Sequence, residues 1–111
     1  MTKFDRIYMT TLLNNLANDI AEDMKTNGFE ITNKGEAIAL MHSELSECLE
    51  AIRKPKADEH CPEFTNEIIE LADCLIRILH YCGRFKLPLN EALFAKIEYN
   101  KTRPFKHGKA F

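Results

Sequence analysis

Apolar residues recur at spacings of three and four positions along nearly the whole chain, which is the spacing of one face of an α-helix. The first such stretch covers about residues 4–26, with apolar positions from Met9 to Met24. Asn27-Gly28 follows it and favours the left-handed turn that ends a helix. No run of four or more residues alternates as a strand does. The pattern therefore predicts an all-α protein.

The second predicted helix is bounded by a polar cap and a proline. Asn33 can cap its first turn, and Glu36 three positions later completes the pattern of a capping box. The helix is expected to end at about Lys54, because the residue before a proline disfavours the helical conformation. A polar connector over about residues 55–61 follows.

Prolines also mark the last two helices. Pro62 suits the first turn of a third helix, which the apolar spacing extends to about Phe85. Pro88 and Asn90 precede a shorter fourth helix that is expected to end at about Lys101. Four helices of these lengths joined by short links predict a four-helix, bundle-like fold.

Length and composition predict a single domain over residues 1–111, since 45% of the residues are hydrophobic and can form one core. No apolar stretch approaches the roughly 18 residues of a membrane span, and no apolar signal segment follows the N-terminus. We therefore expect no membrane partner and a cytoplasmic location. The chain contains no C-x-x-C pair, and Cys48, Cys74 and Cys82 are expected to be reduced core residues.

Charge is distributed unevenly along the chain, although the formal net charge is only −2. All acidic residues lie at or before Glu98, whereas the C-terminal tail at about residues 102–111 has basic residues and no acid. An acidic body with a basic tail suggests two sites of opposite sign. One site could hold a cation and the other an anion.

Glu44 is the acidic residue whose position most needs an explanation. At 100° per residue it projects inside the apolar arc of the second helix, between Ala51 and Ala37. Glu47 lies at the edge of that arc, and Glu50 points to solvent. A carboxylate on a core-facing surface must be paired, protonated or bound to a metal, because an isolated buried charge is costly.

The third helix has an unusually wide apolar face, which suggests burial within the bundle and against another subunit. We therefore expect a homo-oligomer, a dimer or tetramer, that completes the bundle. The remaining strip of this helix contains Glu70, Asp73, Arg77 and His80. Asp73 and Arg77 can form an ion pair four residues apart, so the strip could be a solvated surface.

The alternative is that this strip faces the second helix and contributes metal ligands. Side chains three residues apart on a helix lie about 5–6 Å from one another, so Glu44 with Glu47, and Glu70 with Asp73, form two carboxylate pairs. If the two helices face each other, four carboxylates converge and repel one another unless a cation is bound. Ligands that are all oxygens favour Mg²⁺, or Mn²⁺ as a substitute. The spacing alone leaves both interpretations open.

At these residues the sequence resembles the all-α nucleoside triphosphate pyrophosphohydrolases, specifically the small MazG-like branch. That family is marked by E-x-x-E and, after a variable linker, E-x-x-D. The matching segments here are Glu-Leu-Ser-Glu at 44–47 and Glu-Leu-Ala-Asp at 70–73. The resemblance extends from about Glu36 to the C-terminus and includes the segment from Lys96 to Lys109. It implies a MazG-type fold.

The resemblance also implies a reaction. The family hydrolyses a nucleoside triphosphate to the monophosphate and pyrophosphate, with Mg²⁺, by attack of water on the α-phosphorus. Glu44, Glu47, Glu70 and Asp73 would hold the metal and form the catalytic centre, with Glu47 as a candidate for orienting the water. Glu67 is either an extra ligand or a surface acid. The preferred nucleotide stays open, because the chain has no tryptophan to stack on a base.

In the small MazG-like proteins, the end of the fourth helix and the tail are expected to contact the triphosphate. Lysine and arginine side chains would clamp the departing pyrophosphate, while asparagine and histidine would donate hydrogen bonds. Tyr99 is expected to pack against the bundle rather than stack on a base. The residues to which the resemblance assigns substrate binding are Lys96, Asn100, Arg103, His107 and Lys109.

The same residues allow other functions. A non-enzymatic helical module could bind nucleic acid or an acidic partner through the basic tail, with metal-independent, salt-sensitive binding. The acidic body makes that the weaker interpretation, and no nucleic-acid partner is expected. A di-iron site needs Glu-x-x-His pairs, and these helices contain none. Within the superfamily, dUTP and phosphoribosyl-ATP stay open as substrates.

Overall fold

The computed structural model describes residues 1–103 of the chain. Within this range the elements are α1 (Lys3–Thr26), α2 (Lys34–Arg53), α3 (Asn66–Phe85) and α4 (Leu89–Asn100). The described residues contain no strand beyond one isolated backbone bridge. The predicted all-α class is therefore confirmed. No helix in this part of the chain is long and apolar enough to cross a membrane.

Polar side chains cap the N-termini of α1 and α2. The side chain of Thr2 accepts a hydrogen bond from the N–H of Asp5, and the Asp5 carboxylate accepts one from the N–H of Thr2, both at 3.0 Å. Asn33 caps α2 as predicted, by accepting a bond of 2.9 Å from the N–H of Glu36. Between the two helices Gly28 has a φ of 83°, which agrees with the predicted left-handed turn.

The third helix begins later than predicted, at Asn66 rather than at Pro62. Residues 56–66 instead form a loop closed by backbone hydrogen bonds of 2.8 and 2.9 Å between its two ends. The carboxylate of Asp58 caps the tip of this loop at 2.8 and 2.9 Å by accepting from two backbone N–H groups, those of Cys61 and His60. The prediction from Pro62 was wrong because proline suits a tight loop as well as a first helical turn.

The helix α3 lies at the centre of the arrangement, because it packs against both α1 and α2, whereas α4 packs against α1. Close approach of α1 and α3 depends on Gly83, which lies buried against the backbone of Ala17. A pair of asparagines attaches α4 to α1. The Nδ2 of Asn90 donates to the Oδ1 of Asn14 at 2.8 Å, and Asn90 is only 2% exposed.

The core of the described residues is small. Its buried hydrophobic residues are alanines and cysteines, apart from Leu79 and Phe94, and no large side chain is fully buried. Cys48 and Cys74 belong to this core, and both are free thiols as predicted. The radius of gyration is 16.5 Å, whereas a compact domain of this length has about 13 Å. The four helices thus form an open arrangement rather than a closed bundle.

Candidate metal centre

Glu44 lies on the face of α2 that packs against α3. Only 7% of the residue is exposed, and the buried residues on the same face are Ala37, Cys48 and Ala51. Glu47, one turn further along the helix, is exposed at the edge of this face. The predicted burial of one carboxylate within an apolar surface is therefore confirmed.

Thiol contacts show that α2 and α3 run antiparallel. The Sγ of Cys48 donates to the carbonyl of Glu67 at 3.6 Å, and the Sγ of Cys74 donates to the carbonyl of Met41 at 3.7 Å. Residue numbers thus rise along one helix as they fall along the other. This pairing places the middle of α2, with Glu44 and Glu47, beside the first half of α3, which contains Glu67 and Glu70.

Three carboxylates converge in this region. One oxygen from each of Glu44, Glu47 and Glu70 lies within 4.8 Å of the others. Asp73 is not part of this three-membered group, but it is close enough for their charges to act on it. Burial raises the pKa of Asp73 most, the charge of Glu44 raises it further, and the positive charge of Arg77 opposes the rise. Three of the four predicted ligands therefore meet, with Asp73 at the margin.

Glu70 carries the clearest electrostatic signature of the cluster. Burial, followed by hydrogen bonds with Glu44 and Glu47 and by their charges, raises its pKa from 4.5 to about 7. The Oε2 atoms of Glu44 and Glu70 are buried and have no hydrogen-bond partner among the described residues. A proton on Glu70 adds one donor to this cluster of acceptors. A divalent cation can take the place of that proton, because it also brings positive charge to the oxygens.

Arg77 is the site residue that the sequence reasoning missed. Its Nε donates to the Oε1 of Glu44 at 3.0 Å, so the ion pair links α3 to α2. Of the two interpretations that the spacing left open, the geometry favours a strip of α3 that faces α2, since Arg77 pairs with Glu44. The available signal was the position of Arg77, one turn after Asp73 on the same strip as Glu70.

The three predicted substrate-binding residues that the structure describes, Lys96, Asn100 and Arg103, lie on another part of the fold. Lys96 and Arg103 place their charged groups over the ring of Tyr99, at 4.6 and 5.4 Å from its centroid. Tyr99 is exposed rather than packed against the bundle. Within residues 1–103 no hydrogen bond or ion pair joins Lys96, Asn100 or Arg103 to the carboxylates, and α4 packs against α1. The described residues do not include His107 and Lys109.

Glu67 does not join the cluster. Its side chain is exposed, and its contact with α2 is made by the backbone carbonyl that accepts from Cys48. The geometry of the described residues therefore favours the interpretation of Glu67 as a surface acid over its interpretation as an extra ligand.

No protein-family model matches the chain, and comparisons with curated proteins and with solved structures give no match. The chemistry of the site is therefore inferred from its geometry. A cluster in which the pKa of Glu70 is raised can exchange the Glu70 proton for a hard divalent cation, and ligands that are all oxygens suit Mg²⁺ or Mn²⁺. Glu47 is exposed at the edge of the cluster, so a phosphate-bearing molecule can approach from that side.

Proposed function

We propose that the protein hydrolyses nucleoside triphosphates to nucleoside monophosphates and pyrophosphate with Mg²⁺, as its resemblance to the small MazG-like pyrophosphohydrolases suggests. The main support is the convergence of Glu44, Glu47 and Glu70 within 4.8 Å, with two buried carboxylate oxygens that lack a donor. Such an oxygen-rich cluster favours Mg²⁺, with Mn²⁺ as a substitute.

In this proposal the residues of the cluster have distinct roles. A divalent cation held by Glu44, Glu47 and Glu70 would neutralise charge on the phosphate oxygens. Glu47, at the exposed edge, accepts a proton from the attacking water. The water oxygen then bonds to the α-phosphorus, and the bond from this phosphorus to the α–β bridging oxygen breaks, so that pyrophosphate leaves. Arg77 holds Glu44 in position through its ion pair.

Lys96 of α4 and Arg103, three residues beyond its end, are proposed to contact the leaving pyrophosphate. The charged groups of Lys96 and Arg103 both lie over the exposed ring of Tyr99. Positive charge is therefore concentrated near the end of α4. Because α4 packs against α1, Lys96 and Arg103 form no hydrogen bond or ion pair with Glu44, Glu47 or Glu70 within residues 1–103. They would therefore contact only the part of a substrate that extends beyond the carboxylate cluster.

We also propose that a second copy of the chain covers exposed apolar residues of α2 and α3. These residues recur at alternating spacings of three and four or at a spacing of seven, which is the pattern of helices that pack lengthwise against other helices. Two copies would bring two such helix pairs together and close the bundle that one chain leaves open. The residues are Ile38, Leu45, Leu49 and Ile52 of α2 and Ile68, Leu71 and Leu75 of α3.

The direct test is incubation of the full chain with Mg²⁺ and a panel of ribonucleoside and deoxyribonucleoside triphosphates, with separate detection of pyrophosphate and orthophosphate. We expect pyrophosphate and a monophosphate in equal amounts. Glu44→Gln and Glu70→Gln should abolish turnover, whereas Glu50→Gln, at an exposed position of α2, should retain it. Release of orthophosphate, or no turnover of any nucleotide, contradicts the proposal.

A further inference from the structure

A cavity of about 520 Å³ lies beside the carboxylate cluster. This open cavity, here termed the loop cavity, is lined by residues 28–33 between α1 and α2, by the first turns of α2, and by Arg77 and His80 of α3. Its volume falls within the range of about 300–1,000 Å³ that is typical of small-molecule sites. Apolar side chains, among them Met24, Ile31 and Leu40, form much of its wall.

The wall of the loop cavity is held in place by specific bonds. The Nε of Arg84 donates to the carbonyl of Ile31 at 3.0 Å, and its guanidinium lies 3.8 Å from the carboxylate of Glu30. On the other side, the N–H of Phe29 donates to the carbonyl of Met24 at 2.8 Å. The connection between α1 and α2 is thus attached to α3 and α1, so the cavity is formed before any ligand arrives.

His80 lines this cavity and has a polar ring atom that no described residue satisfies. The residue is only 6% exposed, and its Nε2 has no hydrogen-bond partner among the described residues. Burial lowers the pKa of His80 most, and the charges of Arg77 and Arg84 lower it further, against an opposing effect of Glu30. The lowered pKa favours the neutral ring, in which one nitrogen donates and the other accepts. A ligand with a complementary edge would satisfy it.

The position and charge of the loop cavity indicate which part of a nucleotide it can hold. Arg77 lines the cavity and also forms the ion pair with Glu44. Leu40, another lining residue, precedes Glu44 by four residues, or about 6 Å along the helix axis. A ribose can span this distance between the cavity and the carboxylate cluster. Glu30 and Glu36 line the cavity, which disfavours a phosphate there.

An aromatic side chain at the cavity favours a flat, neutral ring. Phe29 lines the cavity and is 70% exposed. An exposed aromatic ring offers a face on which a nucleobase can stack, and such stacking tolerates every base because every base has a π-face. Selection among bases must then come from a hydrogen-bonding group, and His80 is a buried histidine that lines the cavity.

We infer that the loop cavity binds the nucleobase of the substrate, which stacks on Phe29 and forms a hydrogen bond with His80. This inference rests on the proposed function, since the phosphates must lie at the carboxylate cluster for the base to reach the cavity. It makes His80 a specificity-determining residue that acts on the base and takes no part in the hydrolysis.

The test uses the full chain with ¹³C-labelled histidine, in the presence of a chelator, and follows the ring signal of His80. The probes are the five common nucleoside monophosphates and, as a probe without a base, ribose 5-phosphate. We expect at least one monophosphate to shift the His80 signal, and ribose 5-phosphate to leave it unchanged. Phe29→Ala should weaken that binding about tenfold. Phe4→Ala, at a residue 74% exposed in α1, is the matched control and should not.

Kinetics with Mg²⁺ separate this inference from the proposed function. Phe29→Ala and His80→Gln should raise KM for the preferred nucleotide with little change in kcat, because they remove binding common to the ground state and the transition state. A His80 signal unchanged by every monophosphate, or shifted equally by ribose 5-phosphate, overturns the inference. If the protein hydrolyses triphosphates but KM is unchanged in both Phe29→Ala and His80→Gln, the inference about the loop cavity is also overturned. The proposed function stands in that case. Base binding without hydrolysis of any triphosphate rejects the proposed function and retains the cavity as a nucleobase site.

Discussion

Protonation of Glu70 couples the candidate metal centre to the stability of the protein. Its pKa rises from 4.5 to about 7 on folding, so the folded state binds this proton more tightly than the unfolded state does. Between these two values the folded chain keeps a proton that the unfolded chain has lost. The free energy of unfolding of the metal-free protein is therefore expected to fall as pH rises from about 4.5 through 7.

Urea unfolding of the metal-free chain across this pH range measures that contribution. Glu70→Gln should flatten the decline, because a glutamine cannot lose the proton, whereas Glu50→Gln, at an exposed position, should leave it unchanged. Saturating Mg²⁺ should restore stability above pH 7, because the cation neutralises the ionised cluster. A wild-type profile with no decline, or the same decline in Glu70→Gln, contradicts a shared proton at this site.

Arg77 provides the positive charge nearest to the buried carboxylate of Glu44, with 3.0 Å between Nε and Oε1. Arg77→Met leaves that carboxylate without a partner, and we expect a loss of about 1–3 kcal/mol of metal-free stability. The control is Arg53→Met, since Arg53 forms a largely exposed pair with Glu50 at 3.6 Å. It should change stability by no more than about 0.5 kcal/mol. Equal effects in urea unfolding of the two variants would contradict a structural role for the pair across α2 and α3.

At the scale of the helices, the contact between α1 and α3 depends on the absence of a side chain at Gly83. A Cβ there would collide with the carbonyl oxygen of Ala17 and lie 3.1 Å from the Cβ of Ala21. Because backbone cannot move aside as a flexible side chain can, Gly83→Ala should lower the free energy of unfolding by about 1–3 kcal/mol.

The matched control for this substitution is Gly35→Ala in α2. A Cβ at Gly35 would meet only the side chain of Asn33, at 3.4 Å. Alanine favours a helix by up to about 1 kcal/mol over glycine, so Gly35→Ala should be neutral or stabilising. Thermal or urea unfolding compares the two variants. If Gly83→Ala is as stable as Gly35→Ala, then α1 and α3 do not approach as closely as described.

Helix positions and the burial of Glu44 could be predicted because each depends on information within one helix. Apolar spacing locates the helix, and the 100° step per residue shows that Glu44 shares a face with Ala37 and Ala51. Partners across two helices could not be predicted in this way, because they depend on the register of α2 against α3. For this reason the ion pair of Arg77 with Glu44 was missed, and Asp73 was placed in the centre of the cluster rather than at its margin.

Loop chemistry limited the prediction for a different reason. The start of α3 depends on whether the backbone after Pro62 forms its hydrogen bonds within a helix or across a loop. Asp58 favours the loop by accepting from two backbone N–H groups, but the spacing of Asp58 from His60 and Cys61 is common in polar segments. His80 is a similar case, since its missing hydrogen bond depends on the cavity formed by the α1–α2 connection.

At the scale of the whole molecule, the open arrangement of the helices and the distribution of exposed apolar residues both favour association with a second copy of the chain. A radius of gyration of 16.5 Å and a core with few large side chains leave much of the apolar surface in contact with water. Monomeric proteins rarely expose contiguous apolar patches larger than a few hundred Å². The exposed residues of α2 and α3 recur with the spacing of a helix–helix contact. A second copy of the chain offers the same spacing and can bury both surfaces at once.

We therefore expect the protein to sediment as a dimer or tetramer, and Leu49→Glu and Leu75→Glu to shift it toward monomer, because each places a charge within the proposed contact between copies. Each substitution should raise the dissociation constant at least about tenfold, and the monomer should unfold at lower urea, since one chain lacks a closed core. Phe4→Glu is the control, because Phe4 is exposed on α1 outside that contact. Analytical ultracentrifugation measures the result. A wild-type monomer contradicts the proposed assembly, whereas dissociation by Phe4→Glu alone would assign the contact to α1 instead of α2 and α3.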